Sequence, residues 1–317
     1  MRVLVTGGAG FIGANLCRAL ATRPEVEQIT VLDDLSTGDL ANLDGVGVRF
    51  VMGSILDRDL LADLVPDATT VVHLAARPSV PRSLADPLAS HTVNATGTLH
   101  VLEACRATAP HVVLASSSSV YGDSAEPFKH EDLPTRPLSP YGASKLATEA
   151  YALAYARSFG LPVLPFRFFN VYGPMQPADH AYAAVIPAFV SAALRGRPAP
   201  VHGDGHQARD FTYVGSVTAV LIEAAVRRVV SDRPVNLAFG TRVTLRELMD
   251  VLAGVLGRPL EADFQPPRAG DIRQSQASPR LLRELFPAVE PVSLEEGLRL
   301  TVAWHEKADR SGPGVSA

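Results

Sequence analysis

Apolar residues follow two periodicities along the first half of the chain. Short unbroken runs rich in Val, Ile and Leu cover Val3–Thr6, Gln28–Asp33, Arg49–Gly53, Thr70–Leu74 and His111–Ser116. Such runs, without polar alternation, fit strands covered on both faces. Between them, apolar positions recur every three to four residues in Ile12–Thr22, Arg58–Val65 and Ala89–Ala107, the spacing of helices with one buried face. A longer helix over Tyr141–Phe159 precedes another strand at Val163–Phe168. Strand–helix alternation of this kind predicts βαβ units and a doubly wound parallel sheet, an α/β fold.

After about residue 172 the pattern shortens. Prolines at 174, 177, 187, 198 and 200 punctuate the chain, and the next clear elements are Val235–Ala238, Leu245–Leu256 and Leu294–Glu306. The expected organisation is a first unit over residues 1–172 and a smaller, interleaved α/β region over 173–307, some of whose strands return to the sheet. A Gly/Ser/Pro-containing tail over 308–317 is expected to fray.

Composition narrows the class without naming a reaction. The chain has 317 residues, 47% of them hydrophobic and 20% charged, enough to bury a core with no metal or disulfide staple. A disordered chain, a collagen-like fibre and a disulfide scaffold are excluded. The net charge of −4 and the dispersal of the 29 Lys and Arg argue against a nucleic-acid partner. Cys17 and Cys105 lie in apolar helical patterns and read as small buried hydrophobes. The N-terminal apolar run is too short for a signal peptide, and no stretch reaches the roughly 18 apolar residues of a membrane span. A cytoplasmic protein without a membrane partner is expected, in which the Asn94-Ala95-Thr96 sequon has no meaning. The nine His are scattered, so no metal site is expected. Trp304 and Tyr172 read as packing residues, and so does His73 behind a buried strand.

Two segments carry chemistry. The first is Val3-Leu-Val-Thr-Gly7-Gly-Ala-Gly10-Phe11-Ile12-Gly13, a strand, a glycine-rich turn and a helix start. Gly7 permits the tight turn, Gly10 lets a pyrophosphate approach the backbone, and Gly13 lets helix and strand pack closely. The helix start at Phe11 and Ile12 supplies N–H groups and a partial positive charge for phosphates. Asp33 ends the second strand 20 residues after Gly13, where a carboxylate can accept from both ribose hydroxyls and repel a 2′-phosphate. This favours NAD over NADP. The plainer alternative is a tight turn with a capping Asp at a strand end.

The second segment is Ser139-Pro-Tyr141-Gly-Ala-Ser-Lys145, with Ser at a helix N-cap and Pro in the first turn. Tyr141 and Lys145 then share one helical face. An ordinary Tyr, with a pKa of about 10, is a poor base near neutrality. A nearby ammonium and a nicotinamide cation should lower that pKa and make Tyr141 the base for a sugar hydroxyl. Alone, Tyr-x-x-x-Lys is common on helix surfaces. Here Ser116-Ser117-Ser118-Ser119-Val-Tyr-Gly precedes it at the end of a strand and offers a hydroxyl to orient a substrate.

With these motifs in register, the chain resembles the extended short-chain dehydrogenase/reductase superfamily, in its nucleotide-sugar epimerase/dehydratase branch, from residue 1 to about 305. The resemblance implies that Gly7, Gly10, Gly13 and Asp33 hold NAD, with Asp34, Ser36, Thr37, Gly38, Ile55 and the Leu74-Ala75-Ala76 segment also against it. Ser117, Tyr141 and Lys145 match the catalytic residues, and Lys145 would also bind the nicotinamide ribose. Asn170 would bind the nucleotide-diphosphate sugar, Arg209 and Arg268 would clamp the diphosphate with their planar forks, and Asp271 would hold the nucleoside ribose. The two long helices 89–107 and 141–159 would form a homodimer interface, although either could equally be covered within one subunit. The family's usual Gly-Asp-Ile is Gly53-Ser54-Ile55 here, which weakens the adenine contact or passes it to Ser54.

The same resemblance separates reactions. Dehydratases of the branch carry Thr-Asp-Glu before Val-Tyr-Gly, and UDP-glucuronate decarboxylases carry a Glu in the last of those positions. Here Ser118 and Ser119 stand there, and neither hydroxyl can act as a carboxylic acid. A UDP-hexose 4-epimerase is implied, one whose NAD stays bound through the cycle. Ser79-Val-Pro-Arg-Ser83 and Ala181-Tyr-Ala-Ala-Val-Ile-Pro187 resemble the group acting on UDP-N-acetylglucosamine. Ser275 falls where glucose-only enzymes carry Tyr and leaves room for an acetamido group, or it simply reflects lineage. UDP-glucose and UDP-N-acetylglucosamine therefore both stay open. UDP-glucuronate ranks third, because Pro177 stands where some glucuronate epimerases place Arg. A dehydratase and an NAD-sensing binding module remain the alternatives to epimerase chemistry.

Overall fold

The computed structural model describes residues 1–178, 183–267 and 274–310, with residues 309 and 310 described by backbone only. Seven strands form a wholly parallel central sheet: β1 (Arg2–Thr6), β2 (Gln28–Asp33), β3 (Arg49–Met52), β4 (Thr70–His73), β5 (His111–Ser117), β6 (Val163–Phe168) and β7 (Val235–Leu237). Their spatial order is β7-β6-β5-β4-β1-β2-β3. The order reverses between β1 and β4, which opens a crevice at the carboxyl ends of these two strands, where open α/β sheets bind ligands.

The unbroken apolar runs explain the double cover. Val3, Val5, Val31, Val72, Val113 and Phe166 face one layer, with the helices Phe11–Leu20 and Val214–Arg227. Leu4, Leu32, Val71, Val112, Leu114 and Val163 face the other, with helices Arg58–Leu64, Gly97–Cys105 and Pro140–Phe159. Cys17 and Cys105 are both fully buried, and burial pushes each thiol up to about 12.

The expected single helix over 89–107 is an α-helix at Pro87–His91, a π turn at Thr92–Thr96 and a second α-helix at Gly97–Cys105. The widened turn carries Asn94, whose Oδ1 accepts from the Arg77 N–H at 2.7 Å and whose Nδ2 donates to the Arg77 carbonyl at 3.2 Å and to the Ser144 hydroxyl. Local helix regularity yields to this buried contact. The sequon asparagine is therefore an interior residue, 1% exposed.

A second core lies beyond the sheet, where the helices Val185–Leu194, Leu245–Leu256 and Leu294–Arg310 surround Phe189, Val201, Phe211, Leu252 and Leu298. The last helix passes Glu306, its expected end, because Lys307, Ala308 and Arg310 are good helix formers. Three elements of this half belong to the first core instead: Val214–Arg227 packs on Phe11–Leu20, β7 joins the sheet, and Leu282 and Phe286 pack beneath it.

Candidate active site

The glycine-rich turn has the geometry its sequence requires. Gly7 has φ +73°, and a Cβ there would lie 2.6 Å from the Ala75 nitrogen. A Cβ on Gly13 would lie 2.1 Å from the Gly7 carbonyl oxygen, so helix and turn touch only because that atom is missing. Gly10 caps the helix without a side-chain hydrogen bond, which leaves the first-turn N–H groups for an anion. Asp33 is 7% exposed. It accepts from the Ala9 N–H at 2.9 Å and the Leu35 N–H at 2.8 Å, one on each oxygen. Each oxygen keeps a further lone pair, so this set fits the pyrophosphate and a ribose of NAD.

A cleft of about 340 Å³ runs across the turn. Its lining brings together Gly7, Gly10, Phe11, Ile12, Gly13, Asp33, Asp34, Ser36, Thr37, Ile55, Leu74, Ala75, Ala76, Ser117, Tyr141 and Lys145. Two expected residues sit differently. Gly38 packs on Ala9, where a Cβ would come within 2.9 Å of the Ala9 carbonyl carbon. Ser54 spends its hydroxyl on the Leu56 N–H at 3.3 Å. The lining also includes Pro78, Ala115 and Gln176, which no motif marks, and Ser116, Phe168, Phe169 and Val171, which flank Ser117 and Asn170 in the sequence. Several of these end β5 or follow β6, so the carboxyl-end rule for parallel sheets was the available signal.

Ser117 ends β5 and caps the tight turn Ser118–Tyr121, accepting from the Ser119 N–H at 3.1 Å. Across from it, Ser139 caps the helix Pro140–Phe159 by accepting from the Gly142 N–H at 3.1 Å. That cap sets the helix start, and Tyr141 in the first turn lines the same cleft as Ser117. Burial pushes the Tyr141 phenol up from its ordinary value, and the Ser117 contact opposes the rise. Lys145, 5% exposed, donates Nζ to the Ala115 carbonyl at 2.8 Å, and desolvation lowers its own pKa to about 8. His73 lies beneath, its Nδ1 2.7 Å from the Thr6 hydroxyl and its Nε2 3.0 Å from the Thr98 hydroxyl. Burial, and then the Lys145 charge, lower its pKa to about 3, so it is a neutral packed residue.

A second cavity of about 490 Å³ adjoins the first through Phe169 and Val171, which line both. Ser79, Asn170 and Arg209 are on its wall. Ser79 has φ 97° and caps the helix Val80–Ala85. Asn170 donates its side-chain amide to the Asp210 carbonyl at 3.3 Å, and Arg209 donates to the Ala208 carbonyl at 2.9 Å. Ser275 pairs with Arg209 across neighbouring strands. Ser118 and Ser119 are half-buried on the turn beyond Ser117. Arg268 and Asp271 lie outside the described residues.

Known proteins resemble this chain over nearly its whole length. The profile of the NAD dependent epimerase/dehydratase family matches residues 3–238. A UDP-glucose 4-epimerase of Mycolicibacterium smegmatis is 38% identical over 311 residues, covering 95% of this chain and 97% of that protein. Among solved structures, a UDP-N-acetylglucosamine 4-epimerase from Methanobrevibacter ruminantium, in complex with UDP-N-acetylmuramic acid, superposes with a TM-score of 0.91. It is 34% identical, with 97% of this chain and 98% of that one covered. The UDP-glucose 4-epimerase of Thermus thermophilus, in complex with NAD, gives a TM-score of 0.87 and 37% identity, with 97% and 100% covered.

Proposed function

The chain belongs to the NAD-dependent epimerase/dehydratase family, and within it we propose that the protein is a UDP-hexose 4-epimerase acting through a 4-keto sugar. One observation carries this reading. Among the described residues the two adjoining cavities hold no carboxylate near Tyr141; Asp33 and Asp34, at and just beyond the end of β2, are the only acidic residues on either wall. Loss of water from a sugar needs an acid and a base beyond Tyr141, and Ser118 and Ser119 supply neither.

The chain's own groups then have a short task. Ser117 orients the C4 hydroxyl, and Tyr141 removes its proton. NAD, when bound, would supply the hydride acceptor, and then donor, that C4 needs. Lys145 holds the nicotinamide ribose and keeps positive charge beside the phenolate. The keto sugar turns over in the second cavity while Arg209 and Arg268 hold its diphosphate and Asp271 its nucleoside ribose. Asn170 lines the path. Tyr141 gives its proton back to the C4 oxygen once the opposite face is presented, so no net redox change occurs.

UDP-glucose/UDP-galactose and UDP-N-acetylglucosamine/UDP-N-acetylgalactosamine are the proposed substrate pairs, with the small side chain of Ser275 admitting the acetamido group. A homodimer through residues 89–107 and 141–159 fits the exposure of Tyr151, at 41%, and Phe159, at 52%, on the second of these segments. The test is incubation with UDP-glucose, UDP-N-acetylglucosamine and UDP-glucuronate, followed by separation of the 4-epimers and mass spectrometry. Epimers of unchanged mass are expected. A product lighter by one water would replace the epimerase with a dehydratase.

A further inference from the structure

A buried charge pair lies outside both cavities. Glu149 and Arg167 are each 3% exposed. Their contact is bidentate, with Arg167 Nε donating to Glu149 Oε2 at 3.0 Å and the terminal nitrogen Nη2 to Oε1 at 2.6 Å. Neither residue touches the cleft, yet each leads to it. Tyr141, Lys145 and Glu149 follow one another at four-residue spacing on a single helix, so they share the face turned to the sheet. Each meets a different partner there: Tyr141 shares the cleft lining with Ser117, Lys145 donates to the Ala115 carbonyl, and Glu149 accepts from Arg167 on the next strand.

Arg167 stands beside Ser116 in the sheet register, one residue from Ser117. Its guanidinium also stacks on the ring of Tyr121, 4.7 Å from the centroid, and donates to the Glu131 carbonyl at 3.4 Å. Tyr121 closes the turn that begins at Ser118 and donates its hydroxyl to Asn236 on β7 at 2.7 Å. One guanidinium therefore grips the helix that carries the base and the turn that follows the orienting hydroxyl. A fully buried ion pair is a poor source of stability compared with apolar packing of the same volume.

We propose that Glu149 and Arg167 are positioning residues, whose ion pair sets the Ser117–Tyr141 contact by holding the Tyr141 helix and the Ser118–Tyr121 turn on one guanidinium. This rests on Tyr141 being the base of the proposed reaction. Glu149→Gln keeps the shape but faces amide hydrogens toward guanidinium hydrogens. Arg167→Lys keeps the charge but loses the fork and the stacking surface.

The test uses the holoenzyme and two readouts. Ultraviolet difference titration, with Tyr141→Phe as the blank, follows the Tyr141 phenol alone. Its midpoint should rise by about half a unit to one unit in either variant, because the Ser117 contact that lowers it is lost. Steady-state kinetics on the active UDP-sugar should show kcat down about tenfold or more with KM unchanged. A double variant, Glu149→Met with Arg167→Met, separates geometry from stability. An apolar pair should restore the melting temperature and leave the titration midpoint and kcat perturbed. If that double variant regains both, or if the single variants lose only melting temperature, the pair is merely structural and the proposal fails. Should wild-type protein turn over no nucleotide sugar, the epimerase reading fails, and the titration still reports on the positioning.

Discussion

Lys145 donates its Nζ to the main-chain carbonyl of Ala115, 2.8 Å away, on the strand that ends in Ser117. The contact fixes the ammonium to the same strand as the substrate-orienting hydroxyl. It also holds a lysine in a buried place, where its pKa falls to about 8 from 10.5.

The sign of the resulting pH dependence is definite. Between about pH 8 and 10.5 the unfolded chain keeps this proton and the fold does not, so folding gains stability as pH rises through that window. Below pH 8 the buried ammonium carries its full desolvation penalty. Lys145→Met should therefore be more stable relative to wild type at pH 7 than at pH 10, by urea unfolding at the two pH values. The same variant should lose about 10²-fold or more in epimerisation, since the phenolate loses its cation. Equal stability differences at both pH values would refute the buried-lysine account.

Tyr141→Phe and Ser117→Ala test the pair directly. Each should lower kcat by about 10²- to 10⁴-fold, the range for a lost general base or its partner. Neither hydroxyl builds the glycine-rich turn, so NAD content after purification should stay at the wild-type level. Full turnover by Tyr141→Phe would remove Tyr141 as the base.

The cofactor cradle is tested at Gly13. A methyl group there would sit 2.1 Å from the Gly7 carbonyl oxygen, against backbone that has no side-chain freedom to yield. Gly13→Ala should cost about 1–3 kcal/mol or more in stability and should release NAD during gel filtration. Ala at position 45, where a Cβ would meet nothing within 4 Å, is the matching control for added volume. Its backbone has φ +74°, so Gly45→Ala should cost about 1 kcal/mol from strain alone, with NAD retained.

Much of this site could be read from the sequence, for a physical reason. Glycine spacing, a carboxylate at a strand end and a Tyr and Lys on one helical face are local patterns, and the sheet places strand ends together by its topology alone. What escaped is non-local. The π turn at Thr92–Thr96 exists because Asn94 reaches the Arg77 backbone, 17 residues earlier. The rise in the Tyr141 pKa depends on burial that a spacing of four residues cannot report. Gln176 joins the cleft through the path of the chain after β6, where no motif marks it. The Glu149–Arg167 pair was invisible for the same cause, since nothing in either local sequence points to the other.

Asp210 offers a last test, of the floor beneath the second cavity. It is fully buried between Arg209 and Phe211, and its carboxylate accepts from the Gly240 N–H at 3.1 Å, the Ala277 N–H at 3.1 Å and the Thr241 hydroxyl at 2.8 Å. These bonds favour the charged form, but burial outweighs them and raises its pKa from 3.8 to about 6. Between about pH 3.8 and 6 the fold therefore holds a proton that the unfolded chain has released, so this group's contribution to stability falls as pH rises through that window. Asp210→Asn does not titrate. Its amide also turns two donors toward N–H and O–H groups that need an acceptor, which should cost about 1–3 kcal/mol at any pH. The stability advantage of wild type over Asp210→Asn should then widen, by about 2 kcal/mol, as pH falls from 6.5 to 4. Paired urea titrations at those two pH values measure it. A difference that stayed constant would mean that Asp210 ionises in the fold as it does in the open chain, and one that narrowed would mean that its hydrogen bonds, not its burial, decide its charge.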